Sequence, residues 1–195
     1  MIICSPQLGL SPESGLGGEV YDREMLKALD KLGIVTLIIL PFGKKYPPLK
    51  HAKIYFLPLP FVYPPWLFNF LLLPYLFFLQ WKYRYDILRV HSPYFVGPAA
   101  IVFKLFNPEV KVVASYLHLE PEDKFYELVD RKLVSYYSLI TTISEATKED
   151  ILKRYKVDHT KITVIPCGVD TKYKPLPKNL KLVDKYQLAN KKVLL

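Results

Sequence analysis

Residues 17–40, GGEVYDREMLKALDKLGIVTLIIL, hold a helical pattern followed directly by a strand pattern. The apolar spacing predicts a helix over residues 18–32 with one buried face. The residues expected on that face are Val20, Met25, Ala28, Leu29 and Leu32. Gly33 follows as a left-handed C-terminal cap. The apolar run of residues 34–40 then predicts a buried strand, so a helix leads directly into a strand of a covered sheet.

The same alternation of short apolar runs and helical patterns continues along the chain. Strands are predicted at residues 1–5, 34–40, 53–57, 86–91, 110–116, 139–143 and 161–165. A further clear helix follows Ser144, an N-cap residue, with Ile151, Leu152 and Tyr155 facing inward. This repetition predicts an α/β fold with a mostly parallel central sheet. Because such sheets bind ligands outside the carboxyl ends of their strands, functional residues are expected in the loops that follow the strands.

The composition fits one sizeable domain. Of the 195 residues 51% are hydrophobic, enough for a core without stabilising cross-links. Cys4 and Cys167 lie far apart and lack metal-type spacing, so neither a disulfide framework nor a zinc site is predicted. The net charge of +9 attracts anions, but no nucleic-acid-binding motif accompanies it and no nucleic-acid partner is expected. Since the N-terminus lacks a secretory-signal pattern, the default expectation is a cytoplasmic protein.

The loop after the first predicted strand ends in Gly15, Gly17 and Gly18, immediately before a helix. Free backbone N–H groups and the positive end of a helix favour a phosphate or another anion there. A dinucleotide site is disfavoured, because GLGGEV lacks the G-x-G-x-x-G spacing and the next strand ends in Pro41 and Phe42 without a ribose-binding acid. The alternative is a glycine-rich connection that binds no ligand.

Two histidines follow predicted strands. His118 comes after VVASYL and precedes Glu120, so it is expected at the crevice, where a neutral imidazole could hydrogen-bond a sugar hydroxyl or a reacting group. A histidine that only satisfies a loop backbone group is an equally good interpretation. His91, at the end of DILRVH, admits the same two interpretations, and the structural one is favoured for it.

The run from Trp66 to Trp81, WLFNFLLLPYLFFLQW, is too short and too interrupted for a transmembrane helix. Tryptophans bracket it and basic residues flank it, which is typical of a helix in a lipid headgroup layer. The alternative is a helix buried between the sheet and its neighbours, with the aromatic residues in the core. The sequence leaves both interpretations open.

Four stretches together resemble the N-terminal half of retaining glycosyltransferases of family 4, which have the two-domain GT-B architecture. They are GGEVYDREMLKALDKLG, VVASYLHLEPED, TTISEATKEDILKRYKV and KITVIPCGVDTKYKP. The last two are the most specific, although Cys167 stands where such enzymes often have asparagine. The resemblance covers nearly the whole chain and implies a Rossmann-like three-layer domain with a mostly parallel central sheet.

The resemblance also implies roles for individual residues. Gly17 and Gly18 would lie against the donor phosphates or the acceptor, with Glu19 beside them at the start of the helix. His118 would contact the donor sugar as a catalytic residue, and Ser144 would line the same crevice. A hinge would be formed by Pro166, Cys167, Gly168 and Asp170. No metal or other cofactor is expected, because the nucleotide sugar is a substrate.

The implied organisation is an acceptor-side domain at 1–170, an interdomain linker at 171–190, and the start of a donor-binding domain at 191–195. The expected function is sugar transfer from a nucleotide sugar to a sugar or lipid-linked acceptor by the full-length hexosyltransferase-type enzyme, with the 195-residue chain inactive alone. Residues 66–81 would provide a peripheral contact with the inner membrane face. The alternatives are a non-catalytic acceptor-binding subunit of a split transferase and, less favoured, half of a nucleotide-sugar epimerase.

Overall fold

The computed structural model describes residues 1–7, 15, 17–46, 48–58, 67–91, 93–119, 124–168, 174 and 177–192, which form one parallel sheet covered by helices. The strands are β1 (Ile2–Pro6), β2 (Val35–Leu40), β3 (Ala52–Phe56), β4 (Ile87–Val90), β5 (Lys111–Tyr116), β6 (Leu139–Thr142) and β7 (Ile162–Val164). The helices are α1 (Gly17–Lys31), α2 (Leu67–Tyr83), α3 (Pro93–Phe106), α4 (Lys124–Leu133), α5 (Glu145–Arg154) and α6 (Leu180–Lys185). Every observed strand overlaps its predicted range, and the predicted α/β fold is confirmed.

The strand order places a crevice between β1 and β4. Across the sheet the order is β3-β2-β1-β4-β5-β6-β7, and every neighbouring pair is parallel. The chain builds outward from β1 to β3 on one side and from β4 to β7 on the other. The direction of winding therefore reverses between β1 and β4. The loops after these two strands diverge at their carboxyl ends, which is where open α/β sheets bind ligands.

The two faces of the sheet are covered by different helices. Leu37 and Ile39 of β2 belong to the large core to which α2 and α3 contribute. The alternate residues Ile38 and Leu40 instead pack with Leu26 of α1 in a smaller cluster. The helix that begins at the crevice thus lies on one face, and α2 and α3 lie on the other.

Two helix ends follow their predicted local signals. Gly33 has a φ of 72°, and the amide of Ile34 donates to the carbonyl of Leu29 at 3.1 Å, as in a Schellman cap. At α5, Ser144 Oγ accepts from the amide of Thr147 at 3.2 Å, so the predicted N-cap is confirmed. The predicted inward residues of α5 are also confirmed, with Ile151 and Tyr155 buried and Leu152 half-buried.

The predicted buried face of α1 is wrong in part: Val20, Met25 and Leu29 are half-buried, but the face is centred on other residues. Its fully buried residues are Asp22 and Leu26, whereas Ala28 is exposed and Leu32 is 75% exposed. The helix is rotated towards a face that contains a carboxylate, because Asp22 forms an ion pair with the buried Arg89 of β4. A purely apolar periodicity does not predict this orientation.

The long apolar run forms α2, which has one buried face and one exposed face. Its buried residues are Phe68, Leu72, Leu76 and Leu79. Its exposed stripe consists of Phe70, Pro74, Phe77, Phe78 and Trp81. Trp81 is 79% exposed, and Trp66 lies outside the described residues. Among the helices that the structure describes, none is long and apolar enough to cross a membrane.

The predicted linker contains a short helix. Asn179 caps α6, its side chain accepting from the amide of Leu182 at 3.3 Å. Leu180 and Leu182 are exposed by 70% and 49%, so this helix does not pack into the core. The predicted polar linker is therefore partly helical, because a capping residue precedes a run of good helix formers.

Candidate functional site

The start of α1 and the loop after β5 meet at the carboxyl edge of the sheet. A Cβ placed on Gly18 would lie 3.4 Å from Leu117 Cδ1, so the first helical turn contacts the residue that follows β5. Among the described residues, no atom lies within 4 Å of a Cβ placed on Gly17, and Gly17 is exposed. One glycine therefore packs against the neighbouring loop, while the other leaves the backbone open to the crevice.

The first turn of α1 is suited to an anion. The first four N–H groups of a helix have no partner within it, and they point outward from its positive end. Gly17 and Gly18 supply two of them, and Glu19 follows in the same turn with a half-buried side chain. The open space at Gly17 allows a phosphate oxygen to approach the backbone.

His118 lies beside this turn, one residue after Leu117. Its side chain is exposed, as expected of a group that faces the crevice. Glu120, the carboxylate predicted nearby, lies outside the described residues. The structure thus brings the start of α1 and the His118 loop together, as the strand-end argument predicts.

Ser144 follows β6 at the same carboxyl edge. Its hydroxyl oxygen caps α5, and Thr147 Oγ1 lies 3.0 Å from it. The side chain is half-buried. Ser144 therefore has a structural task as the N-cap, whether or not it also contacts a substrate.

The predicted hinge follows β7. Pro166, Cys167 and Gly168 are exposed, while Asp170 lies outside the described residues. Among the residues that the structure describes, no atom lies within 4 Å of a Cβ placed on Gly168.

A buried polar network lies beneath the first turns of α1. Arg89 Nη1 donates to Asp22 Oδ1, and His91 Nδ1 lies 3.3 Å from the same carboxylate oxygen. Arg89 also approaches Ser5 Oγ at 3.4 Å, and that oxygen accepts from Gln7 Nε2 at 3.0 Å. All five side chains are buried, with exposures of 7% or less.

His91 is held in the neutral state by its surroundings. Its pKa is lowered to about 4, chiefly by burial; the Asp22 charge opposes the shift, the Arg89 charge adds to it, and a hydrogen bond with the Gly18 backbone opposes it. The ring of Tyr21 stacks on it with a centroid separation of 5.9 Å and an interplanar angle of 23°. The structural interpretation favoured for His91 is therefore the one observed, but it includes a hydrogen bond to Gly18 at the crevice.

Sequence reasoning missed Asp22 and Arg89. Asp22 occupies a core-facing position of α1, and Arg89 stands within the apolar strand DILRVH. A charged residue inside each buried element is the signal that could have found the pair, since buried charges are normally paired. Their partnership joins positions 67 apart in the chain, which no local pattern reveals.

A family comparison covers most of the chain. Residues 16–173 match the family model described as Glycosyltransferase Family 4. The matched segment contains the start of α1, the His118 loop, Ser144 and the predicted hinge residues. A comparison with curated proteins finds no match.

Solved structures share the fold at low sequence identity. HepE from Anabaena, in complex with UDP and glucose, gives a TM-score of 0.64 at 19% identity, covering 97% of this chain and 51% of HepE. The lipopolysaccharide outer core galactosyltransferase WaaB gives a TM-score of 0.65 at 15% identity, covering 92% of this chain and 50% of WaaB. The UDP-GlcNAc 2-epimerase from Methanocaldococcus jannaschii gives a TM-score of 0.56 at 17% identity, covering 85% of this chain and 45% of the epimerase. The chain spans about half the length of these proteins.

Proposed function

Because the chain belongs to glycosyltransferase family 4 and has the fold of the N-terminal half of a GT-B enzyme, we propose that it is the acceptor-side domain of a sugar transferase. The complete protein would move a sugar from a nucleotide-sugar donor to an acceptor. The observation that carries this proposal is the meeting of Gly18 and Leu117, which joins the glycine turn to the His118 loop inside the family match.

The chemistry fits the charges of the crevice. Transfer from a nucleotide sugar passes through an oxocarbenium-like centre while negative charge grows on the departing diphosphate. The first turn of α1 offers backbone N–H groups to that charge, or to an anionic group of the acceptor. A second domain would supply the remaining diphosphate contacts and close over the donor, with residues 166–170 as the hinge, and closure would exclude water.

The family resemblance implies roles for individual residues, and their position at the carboxyl edge of the sheet supports these roles. Gly17, Gly18 and Glu19 would bind the substrate through the first turn of α1, and Ser144 would line the crevice from β6. His118 would contact the donor sugar and orient it for transfer. We expect the chemistry to be metal-independent, so a chelator should leave transfer by the complete gene product unchanged.

The test is an assay of the complete gene product with labelled UDP-, GDP- and ADP-sugars and a panel of acceptors. His118→Ala should lower transfer by about a hundredfold, because a positioned group near the reacting sugar is lost. His159→Ala is the matched control, since His159 precedes β7 at the opposite edge and its side chain is 77% exposed. Equal activity of His118→Ala and wild type would remove His118 from the mechanism.

The same assay separates the alternatives. An epimerase would convert the nucleotide sugar without any acceptor, as expected if the likeness to the Methanocaldococcus jannaschii epimerase extended beyond the fold. An acceptor-binding subunit would show transfer only when a separate catalytic protein is added. Assay of the 195-residue chain alone should show no turnover.

For the acceptor, we propose a lipid-linked sugar reached at a membrane surface. Among the exposed side chains that the structure describes in α2, all but Lys82 are apolar, and this surface continues onto Val102, Leu105 and Phe106 of α3. We call this surface the α2–α3 apolar face. Monomeric proteins rarely expose so many large apolar side chains together.

Basic side chains border the α2–α3 apolar face. Lys82 Nζ lies 5.6 Å from the ring centroid of Phe78, and Lys53 Nζ lies 4.6 Å from that of Tyr83. Arg84 and Lys111 follow at the end of α2 and the start of β5. Apolar and aromatic groups bordered by cations match the acyl boundary and the anionic headgroups of a lipid surface.

Flotation with vesicles of phosphatidylcholine and phosphatidylglycerol at low salt tests this contact. Wild type should float, and Trp81→Ser with Phe106→Ser should weaken flotation at least tenfold because the apolar contact is lost. Leu32→Ser is the control, since Leu32 is 75% exposed but lies at the end of α1. Flotation of the double variant equal to that of Leu32→Ser would reject the α2–α3 apolar face as the contact.

A further inference from the structure

The buried polar network beneath α1 connects three parts of the fold. Ser5 comes from β1, Arg89 and His91 from the end of β4, and Asp22 from α1. These strands are the two between which the sheet changes direction, so the network lies directly under the crevice. It reaches the first turn of α1 through the hydrogen bond between His91 and the Gly18 backbone.

The network also neutralises a buried negative charge, the Asp22 carboxylate, close to the first turn of α1. Asp22 lies four residues after Gly18, one helical turn into α1, and its carboxylate is buried. An uncompensated negative charge there would oppose an anion at the helix N-terminus. Arg89 is bonded to this carboxylate and cancels its charge, while the neutral His91 adds none.

We propose that Asp22, Arg89 and His91 are positioning residues for sugar transfer, holding the first turn of α1 in place and keeping it electrostatically open to an anion. None of them needs to touch the substrate. Their action runs through Gly18, which packs on Leu117 beside His118, so a shift of this turn moves both sides of the crevice. This inference rests on the proposed function, because it concerns the same crevice.

Tyr21 strengthens the assignment. Its ring stacks on the imidazole of His91, while His91 Nδ1 lies within 3.3 Å of both Arg89 and Asp22. A histidine with only a packing role could be replaced by phenylalanine, which keeps the stacking. The nitrogen atoms of His91 are what tie it to Asp22, Arg89 and Gly18.

The first experiment measures transfer kinetics of the complete gene product with His91→Phe and His91→Gln. His91→Phe keeps the stacked ring and loses the hydrogen bonds, and should lower kcat at least tenfold with a smaller change in the KM for the acceptor. His91→Gln retains a donor and an acceptor, and should recover part of kcat. Equal kcat for wild type and a folded His91→Phe would overturn the proposal.

The second experiment needs no turnover. Amide hydrogen exchange in the 195-residue chain reports on the N–H groups of Tyr21 and Asp22, which bond to the carbonyls of Gly17 and Gly18 in a regular helix. His91→Phe should speed their exchange at least tenfold. Tyr155→Phe is the matched control, because it removes a buried hydroxyl that donates to Asp130, a residue of α4, and should leave both amides unchanged.

The two experiments fail separately. If wild type transfers no sugar from any donor, the proposed function fails, while the exchange of Tyr21 and Asp22 still decides whether the network holds the turn. If transfer occurs but a folded His91→Phe leaves exchange and kcat unchanged, the positioning role fails and the proposed function stands.

Discussion

Two buried carboxylates, one beneath α1 and one in α4, are stabilised in opposite ways. Asp22 is bonded to the guanidinium of Arg89 and lies beside the neutral His91. Asp130 accepts from the hydroxyls of Tyr116 at 2.8 Å and Tyr155 at 3.3 Å, with no cation among these partners. The two sites show that a buried acid can be held either by charge compensation or by neutral donors.

The difference has an electrostatic consequence. Burial raises the pKa of Asp130 to about 6, and hydrogen bonds from Tyr116, Tyr155 and Tyr94 limit the rise. Neutral donors therefore do not fully replace the lost hydration of the carboxylate. Beneath α1 the group that titrates abnormally is the neighbouring base, His91, whose pKa is lowered to about 4 chiefly by burial. Protonation of His91 therefore destabilises the folded protein, whereas protonation of Asp130 stabilises it.

Removing the cation should have the largest effect. Arg89→Met leaves Asp22 buried without its ion-pair partner, and the free energy of unfolding at pH 7 should fall by about 3–5 kcal/mol. Urea unfolding of the purified chain measures it. Asp22→Leu combined with Arg89→Met should recover most of the loss, because an apolar pair needs no compensation. A loss below about 1 kcal/mol in Arg89→Met would mean that the ion pair is not what stabilises Asp22.

His91 should make the protein less stable in acid. Its folded pKa of about 4 lies below its ordinary 6.5, so the unfolded chain binds the proton more tightly. The corresponding stability is complete above pH 6.5 and is lost as pH falls towards 4, by about 3 kcal/mol at most. His91→Gln should remove this contribution, which urea unfolding between pH 4 and 6.5 would detect as a slope of stability against pH that differs from that of wild type. An unchanged slope would show that His91 titrates normally in the folded state.

Asp130 should act in the opposite sense and with a smaller range. Its folded pKa of about 6 lies above its ordinary 3.8, so the folded protein binds the proton more tightly. Stability therefore falls as pH rises from about 4 to 6, by about 2–3 kcal/mol. Asp130→Asn should remove this fall. Because the His91 and Asp130 slopes oppose each other, wild type should be flatter between pH 4 and 6 than either variant, and variants with parallel slopes would contradict the comparison.

The sequence predicts the strands well and the two carboxylate sites poorly, for one physical reason. Seven strands could be predicted because a buried parallel strand is a short apolar run between polar loops, and this signal is local. The cap at Ser144 is local too. The orientation of α1 could not be predicted, because Asp22 faces inward only through a partner on another strand. For α2, apolar residues lie on both faces of the helix, so the sequence pattern does not indicate which face packs on the core.

In the candidate site, too, features with a local sequence signal could be predicted and features that depend on distant partners could not. Gly17, Gly18 and His118 could be placed at one edge because the carboxyl ends of parallel strands meet there. The network of Asp22, Arg89 and His91 was missed, since its contacts cross from β4 to α1. The strand order therefore locates the crevice, and contacts between residues distant in sequence, such as Asp22 and Arg89, determine how α1 is oriented beside it.

Packing around the tyrosines of the Asp130 site should be sensitive to one methyl group. A Cβ on Gly97 of α3 would lie 2.6 Å from Tyr137 Oη and 3.1 Å from Leu133 Cδ1. Because Tyr137 is fully buried, its ring cannot simply move away, and Gly97→Ala should cost about 1–2 kcal/mol in urea unfolding.

Adding Tyr137→Phe to Gly97→Ala tests the cause of that cost. The substitution removes the hydroxyl that the new methyl group meets first, so the double variant should regain most of the lost stability. If it does not, the cost comes from Leu133 or from the helix itself. A regain would instead show that the Tyr137 hydroxyl leaves no room beside Gly97, so that this part of the core is ordered by packing, whereas the site beneath α1 is ordered by charge.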